Sequence, residues 1–308
     1  MIAAAQPAGG SVKTRAAALS IASNTLLIAL KLAAGAITGS VAIITEAMHS
    51  SIDLIASIVA YVSVRKADKP ADADHPYGHD KIENLAAAIE AMLILVGSGV
   101  IVYESVRRLA TGHAEVKALG IGIGVIAFSV LANVAVSSVL ARRARETDSP
   151  ALEGDAAHLR TDAATSLAVL GGLVLVQLTG ASWLDPVIAL AVAAAIVVAG
   201  VRLLSRASRV LVDEALPPAE LDAVRGAIEQ FGSLGVCGYH QLRARRAGAR
   251  RYVDLHVQFV AGTTLEAAHA TAHTLQDAIR ERLRGADVLI HLEPAGSVRP
   301  GTEVPRAR

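Results

Sequence analysis

The chain carries two polar motifs of identical spacing, each set among apolar, helix-forming residues. They are Glu46-x-x-His49-x-x-x-Asp53 and Asp155-x-x-His158-x-x-x-Asp162. Spacings of three and four residues place the polar side chains of each motif on one face of a helix. A carboxylate inside hydrocarbon costs about 2.5–3.5 kcal/mol even on insertion scales, so each motif needs a partner. Two His/Asp pairs supply four ligands, the number that Zn²⁺ prefers, and therefore predict a site for a divalent metal.

The chemistry of this predicted site favours transport. Its ligands would be His49, Asp53, His158 and Asp162. Imidazole and carboxylate together suit Zn²⁺, whereas copper(I) prefers thiolates, and Mg²⁺ and Ca²⁺ prefer all-oxygen shells. Four protein ligands leave no position for a reactive water, which favours binding and carriage over hydrolysis. Imidazole titrates near neutral pH and must be neutral to bind metal, so we expect metal to exchange for protons. Glu46 and Asp155, one turn further along each face, are interpreted as outer or entry-path carboxylates.

Six apolar segments are available to position these ligands. They cover about residues 16–38, 40–64, 84–106, 118–140, 152–178 and 184–204. Each holds about 20 or more residues, enough to cross the roughly 30 Å of hydrocarbon in a bilayer. The sequence therefore predicts an α-helical membrane protein with six transmembrane helices in a lipid bilayer. A net charge of +1 gives no reason to expect nucleic acid, and the single cysteine, Cys237, excludes an internal disulfide or a CxxC motif.

The distribution of basic residues predicts the orientation. Lysine and arginine cluster in the loops after the second and fourth segments, whereas residues 35–39 and 177–185 contain none. The positive-inside rule then places both termini in the cytoplasm, although Arg107, Arg108 and Lys117 oppose this assignment. The second and fifth segments would run in opposite directions, so that their His/Asp faces can meet. An Ala-rich chain with short loops indicates a bacterial inner membrane.

The last third of the chain has the character of a soluble, cytoplasmic domain. Predicted elements are a helix at 218–231, strands at 235–246 and 250–260, a helix at 263–284 and a strand at 287–292. This α-β-β-α-β order predicts helices on one face of a sheet. A hairpin centred on Gly248 would pair His240 with His256, whose Cβ atoms would lie about 4.5–5.5 Å apart and could share a metal. The predicted boundaries are a disordered tail at 1–12, the membrane domain at 13–207, the soluble domain at 208–296 and a disordered tail at 297–308.

Five sequence elements between residues 13 and 296 carry a resemblance to a known family. They are Gly39-Ser40-Val41, His49-x-x-x-Asp53, His75-Pro76-Tyr77-Gly78-His79, His158-x-x-x-Asp162 and Ile290-His291-Leu292-Glu293-Pro294. With them the chain resembles the cation diffusion facilitator family of divalent metal/proton antiporters. The resemblance implies a homodimer with six spans per protomer and a ferredoxin-like, metallochaperone-like cytoplasmic domain. It also implies a transport site at the four intramembrane ligands, in a His/Asp–His/Asp set that looks like that of zinc-preferring members.

The resemblance implies two further metal sites. Asp72, His75 and His79, in the loop after the second segment, match a second site whose role we expect to be regulatory. In the soluble domain, the resemblance adds His291 and Glu293 from the last strand and His269 from the second helix to His240 and His256. Glu293 stands where some relatives have Asp, which leaves the number of ions open. An ordinary solvated turn is the alternative for the loop residues.

We expect a secondary transporter, not an enzyme, that exports Zn²⁺ from the cytoplasm in exchange for protons by alternating access. Zn²⁺ would be both the cargo and a structural or regulatory ion. Export of Fe²⁺, Cd²⁺, Co²⁺ or Mn²⁺ by the same mechanism is one alternative. Another is a metal sensor or scaffold whose membrane part only anchors the soluble domain, in which case the intramembrane His/Asp set would be dispensable.

Overall fold

The chain folds into two compact units, and each is built around its own packed residues. The computed structural model describes residues 10–38, 41–111, 120–181 and 183–296. The first unit covers residues 1–208 and the second covers residues 209–308. The predicted C-terminal tail, 297–308, lies outside the described residues, as does most of the N-terminal tail.

Long helices make up the first unit. They are α1 Gly10–Thr38, α2 Val41–Ala67, α3 Lys81–Thr111, α4 Gly120–Thr147, α5 Pro150–Thr179 and α6 Leu184–Leu211. At 27 to 31 residues each, they measure about 40–46 Å, longer than the hydrocarbon core of a bilayer. Within the described residues, α1, α3, α4 and α6 are also apolar enough to span a membrane. In α2 and α5 some side chains lie outside the described part, so six crossings stay a prediction.

Helix α1 begins at Gly10, inside the predicted N-terminal tail. Close to this end lies an ion pair that the sequence did not reveal: Lys13 Nζ is 2.7 Å from Glu83 Oε1 of α3, and both side chains are buried. Ser149, just before α5, donates a hydrogen bond to the same carboxylate. These contacts join the start of α1 to the starts of α3 and α5.

Small residues line the helix contacts, and large apolar residues face outward. Fully or nearly fully buried alanines include Ala17, Ala87 and Ala91. Small side chains let helices approach closely where lipid provides no hydrophobic driving force. Leu131 and Val96 are 70% and 66% exposed, as expected for side chains that contact lipid. Packing joins α1 to α2, α4 and α5, and joins α3 to α2 and α5.

The second unit has the predicted α-β-β-α-β order, which is confirmed. Its elements are α7 Pro218–Glu229, a 3₁₀ turn at Gly232–Leu234, β1 Val236–Ala247, β2 Arg250–Phe259, α8 Leu265–Arg282 and β3 Ala286–Pro294. The sheet order is β1-β2-β3, with β1 and β2 antiparallel and β2 and β3 parallel. Val253, Leu255 and Val257 of β2 join residues of α7 and α8 in one core. Both helices therefore cover the same sheet face.

The predicted His240–His256 pair forms, but by a different route from the one expected. The hairpin loop has two residues, and its register pairs Ala247 with Arg250. Continued without interruption, that register would place His240 opposite residue 257. A β-bulge between His240 and Arg243 inserts one extra residue, with Gln241 at φ 51°, and moves His240 opposite His256.

Candidate metal centres

The first group of potential ligands lies buried between α2 and α5. His158 Nε2 lies 3.2 Å from Asp53 Oδ1 and 3.9 Å from Asp162 Oδ2. One ligand atom from each of the three residues falls within 4.8 Å of the others. Asp53 and His158 are only 6% and 5% exposed. The side chain of the fourth predicted ligand, His49, lies outside the described residues, as does that of Glu46.

The charge of this group suits a dication. With a neutral imidazole, Asp53 and Asp162 would bring two negative charges into a largely buried space, and such charges are costly without a counter-charge. A protonated imidazole would balance only one of them. A divalent ion would balance both, and it would use Nε2 and two carboxylate oxygens as ligands, a set that suits Zn²⁺. The arrangement can therefore hold either protons or a metal.

Asp155 contacts hydroxyl groups rather than the histidine of its own motif. Its Oδ1 lies 3.1 Å from Ser20 Oγ of α1 and 3.1 Å from Ser57 Oγ of α2. Asn24 Nδ2 donates to the same Ser57 oxygen at 2.8 Å. The hydroxyl groups of α1 and α2 were not singled out from the sequence, because serine in an apolar span has no distinctive spacing.

Two ionisable residues inside the apolar segments were also missed. Lys31 of α1 is 5% exposed and donates to Ser50 Oγ at 2.7 Å. Glu90 of α3 is fully buried. A charged residue inside an apolar helix is itself a signal of function, and this signal was available in the sequence.

The loop between α2 and α3 brings together the second predicted group. His79 Nε2 and His75 Nδ1 each lie 3.3 Å from an oxygen of Asp72, and the two imidazole rings are 4.5 Å apart. Gly78, at φ +87°, provides the left-handed turn that brings the second histidine back. The backbone N–H of His75 donates to Asp72 Oδ1 at 2.7 Å and lowers the pKa of the Asp72 carboxyl below its ordinary value. The carboxylate is therefore ionised and available as a ligand.

The third group lies on the sheet face opposite the helices of the second unit. Glu293 accepts from both sides: Oε2 lies 2.8 Å from His240 Nε2, and Oε1 lies 2.8 Å from His256 Nδ1. The parallel register pairs His256 with His291. One histidine from each strand therefore forms a row across the sheet, with ring centroids 4.9 Å and 4.5 Å apart.

Two predicted members of the third group lie farther from its carboxylate than His240 and His256 do. His291 Nε2 lies 3.8 Å from Glu293 Oε1, and its side chain is 63% exposed. His269 is exposed on α8, and its Nε2 lies 3.0 Å from that of His273. Among the described residues it joins none of the three close ligand groups. The physical reason is that α8 covers the core face of the sheet through Leu275 and Ile279, whereas the histidine row lies on the other face.

We expect Glu293→Gln to weaken Zn²⁺ binding at the third group by at least about tenfold, because it removes the one negative charge that two histidines contact. Titration calorimetry on the full chain measures this as a lower affinity of one binding class. Glu281→Gln, at an exposed position of α8, is the matched control and should leave the titration unchanged. Equal titrations for both variants would exclude Glu293 as a ligand.

The chain matches family sequence models along most of its length. Residues 17–212 match the family described as the cation efflux transmembrane domain, and residues 216–295 match the cation efflux protein cytoplasmic domain. The Synechocystis sp. transporter sll1263 is 36% identical over 279 residues, 90% of this chain and 89% of that protein. The cation-efflux pump FieF of Salmonella newport is 30% identical over 294 residues, 94% of this chain and 95% of that protein.

A solved structure is also similar to part of the chain. It comes from work on the mode of action of CzrB, a candidate zinc transporter, in the zinc form. It is 31% identical and covers 28% of this chain and 98% of the solved chain, with a TM-score of 0.27.

Proposed function

We propose, from the premise that this chain belongs to the cation diffusion facilitator family of divalent-cation efflux transporters, that its cargo is Zn²⁺ and that Zn²⁺ leaves the cytoplasm in exchange for protons. The observation that carries the proposal is the buried group formed by Asp53, His158 and Asp162, whose potential ligand atoms lie within 4.8 Å of one another. These residues come from two helices that are separate in sequence. A relative movement of α2 and α5 would therefore open or close the group, as alternating access requires.

The ligand chemistry supports Zn²⁺ as the cargo. The described ligand set contains one imidazole and two carboxylates, and the sequence adds the imidazole of His49 on the same helix face as Asp53. Two nitrogen and two oxygen ligands suit a four-coordinate Zn²⁺ better than the harder Mn²⁺, which favours oxygen. This ligand set discriminates less sharply between Zn²⁺ and Fe²⁺, Co²⁺ or Cd²⁺.

Proton exchange follows from competition for the same atoms. His158 Nε2 lies within hydrogen-bonding distance of Asp53, and that nitrogen can carry either a proton or a metal, but not both. Protons arriving from the acidic side would displace the metal, and metal arriving from the cytoplasm would release protons. The proton gradient of an inner membrane, with both termini of the chain in the cytoplasm, would then drive export.

The ligand groups in the loop after α2 and in the second unit would regulate transport rather than carry the cargo. Both contain histidine and carboxylate, but they lie in the loop after α2 and in the second unit rather than between membrane helices. We propose that they bind cytoplasmic Zn²⁺ and regulate transport in a homodimer, in keeping with the match to the family's cytoplasmic domain. Regulation of this kind requires two states that differ in metal affinity.

Reconstitution into vesicles tests the proposed function. The full chain is placed in vesicles with an acidic lumen that contains a zinc-sensitive dye and a pH-sensitive dye, and Zn²⁺ is added outside. We expect Zn²⁺ entry together with alkalinisation of the lumen, and slower entry when an ionophore removes the pH gradient. Protein-free vesicles are the control, and Mn²⁺, Fe²⁺, Co²⁺ and Cd²⁺ are compared with Zn²⁺. Zinc entry without proton movement would refute the coupling, and a preference for Mn²⁺ would refute the selectivity.

A further inference from the structure

Glu90 of α3 has a buried carboxyl group with no hydrogen-bond partner among the described residues. Its side chain is 0% exposed, and within the described residues neither of its oxygens has a hydrogen-bond partner. It lies nine residues into the helix, about 14 Å along the axis. An ionised carboxylate without donors is strongly disfavoured in such surroundings, so the group must be neutral or must be neutralised.

The space for this carboxyl group is provided by a glycine of α5. A Cβ atom added to Gly154 would lie 1.9 Å from Glu90 Oε2 and 3.3 Å from the Cα atom of Ala87. The carboxyl group therefore lies directly against the backbone of α5. The next residue of α5 is Asp155, so two acidic residues lie in the region where α3 packs against α5.

The two carboxyl groups differ in their surroundings. Asp155 is also 0% exposed, but two serine hydroxyl groups lie 3.1 Å from its Oδ1. Its Oδ2 has no hydrogen-bond partner among the described residues. Hydrogen bonds from hydroxyl donors stabilise a negative charge on Asp155, whereas Glu90 has no such donor.

The charged groups around Glu90 do not include a neutralising cation among the residues that the structure describes. From α5, Asp155 is the acidic residue that follows Gly154, and a negative charge there would oppose a second one on Glu90. Glu153, also on α5, is half exposed and pairs with Arg206 of α6 at 2.7 Å. From α2, Asp53 lies with His158 at 3.2 Å.

We propose that Glu90 and Asp155 form a proton-binding site, distinct from the metal ligands, in which the pair holds one proton. Glu90 would carry the proton, and the negative charge would stay on Asp155, facing the two serines. This arrangement is favourable because two neighbouring carboxyl groups that hold one proton between them avoid repulsion between like charges. The inference rests on the proposed exchange of metal for protons, and it assigns one of those protons to a particular pair.

The pair lies close to the proposed transport group along α5. Asp155 precedes His158 by three residues, about one helical turn. A dication bound at His158 would stabilise negative charge nearby and would therefore favour loss of the proton from the pair. Metal binding would then release a proton that no metal ligand carries.

Difference infrared spectroscopy on the full chain in lipid tests the proposal through Glu90→Gln. We expect the wild-type protein to show the carbonyl stretch of a buried, protonated carboxylic acid, which Zn²⁺ weakens and which E90Q lacks. The number of protons released per Zn²⁺ bound should fall by about one in E90Q. Glu104→Gln is the matched control on the same helix, because Glu104 pairs with Arg107 and Arg108 and should be ionised. It should change neither reading.

The outcomes separate this proposal from the proposed function. An acid band that is missing from the wild-type protein, or that is unchanged in E90Q, overturns the proton site. Loss of a whole Zn²⁺ site in E90Q, without an acid band in the metal-free protein, shows a metal site instead and also overturns it. If the wild-type protein carries no Zn²⁺, the transport proposal fails while the band still reports the proton. If E90Q does not fold, Asp155→Asn provides the test, and a shift in the frequency of the Glu90 band is expected.

Discussion

Asp53→Asn should reduce Zn²⁺ transport by more than about 100-fold. Loss of a residue that only orients a metal ligand typically costs about 10–100-fold, and Asp53 would be a direct ligand of the proposed ion. Asparagine keeps the size of the side chain but removes its negative charge. Asp53 is buried, and its Oδ1 lies 3.2 Å from His158 Nε2, so the substitution removes one of the two carboxylate charges beside this imidazole. Initial rates of Zn²⁺ entry into vesicles, at equal protein content, measure the effect.

A matched substitution controls for the loss of one carboxylate. Asp74→Asn removes the same charge from an exposed position of the loop after α2, and it should leave transport within about twofold of wild type. Near-normal transport by D53N would contradict the proposal that Asp53 binds the transported ion. If D53N also left metal-dependent behaviour of the soluble domain intact, the membrane part would be an anchor for a sensor.

Lys13→Met should destabilise the membrane unit by about 3–5 kcal/mol, because it leaves Glu83 buried without its cation. Lys13 Nζ lies 2.7 Å from Glu83 Oε1, and both side chains are less than a tenth exposed. Trp183, the single tryptophan, lies in the membrane unit. Its fluorescence during denaturant unfolding in detergent therefore reports on that unit.

Two variants make this prediction specific. Arg142→Met breaks an ion pair with Glu146 on the exposed surface of α4 and should cost less than about 1 kcal/mol. The double variant Lys13→Met/Glu83→Gln should recover part of the stability, because neither partner then leaves a buried charge. Equal losses for Lys13→Met and Arg142→Met would contradict a structural role for the buried pair.

Local spacing was enough to predict those features that depend on one element at a time. The helix period placed His158 and Asp162 on one face, and an alternating pattern with a turn at Gly248 indicated the hairpin. The order of elements in the soluble domain followed from the same signals. Each of these features requires only that neighbouring residues adopt a regular backbone.

Features that depend on contacts between distant segments could not be found in the same way. Lys13 and Glu83 are 70 residues apart, and Ser20 and Asp155 are 135 residues apart. No periodic pattern links such partners. The bulge at Gln241 has a comparable origin, because one residue with a positive φ changes the register without changing the polar and apolar alternation.

The histidine row across the sheet has a consequence for how the second unit is held together. Its three imidazoles come from β1, β2 and β3, and β3 follows β2 only after the whole of α8. An ion bound by His240, His256 and Glu293 beside that row would link the hairpin to the final strand. Loss of the ion would then destabilise the pairing of the last strand first. The stability of this cytoplasmic domain would therefore depend on the concentration of free metal in the cell.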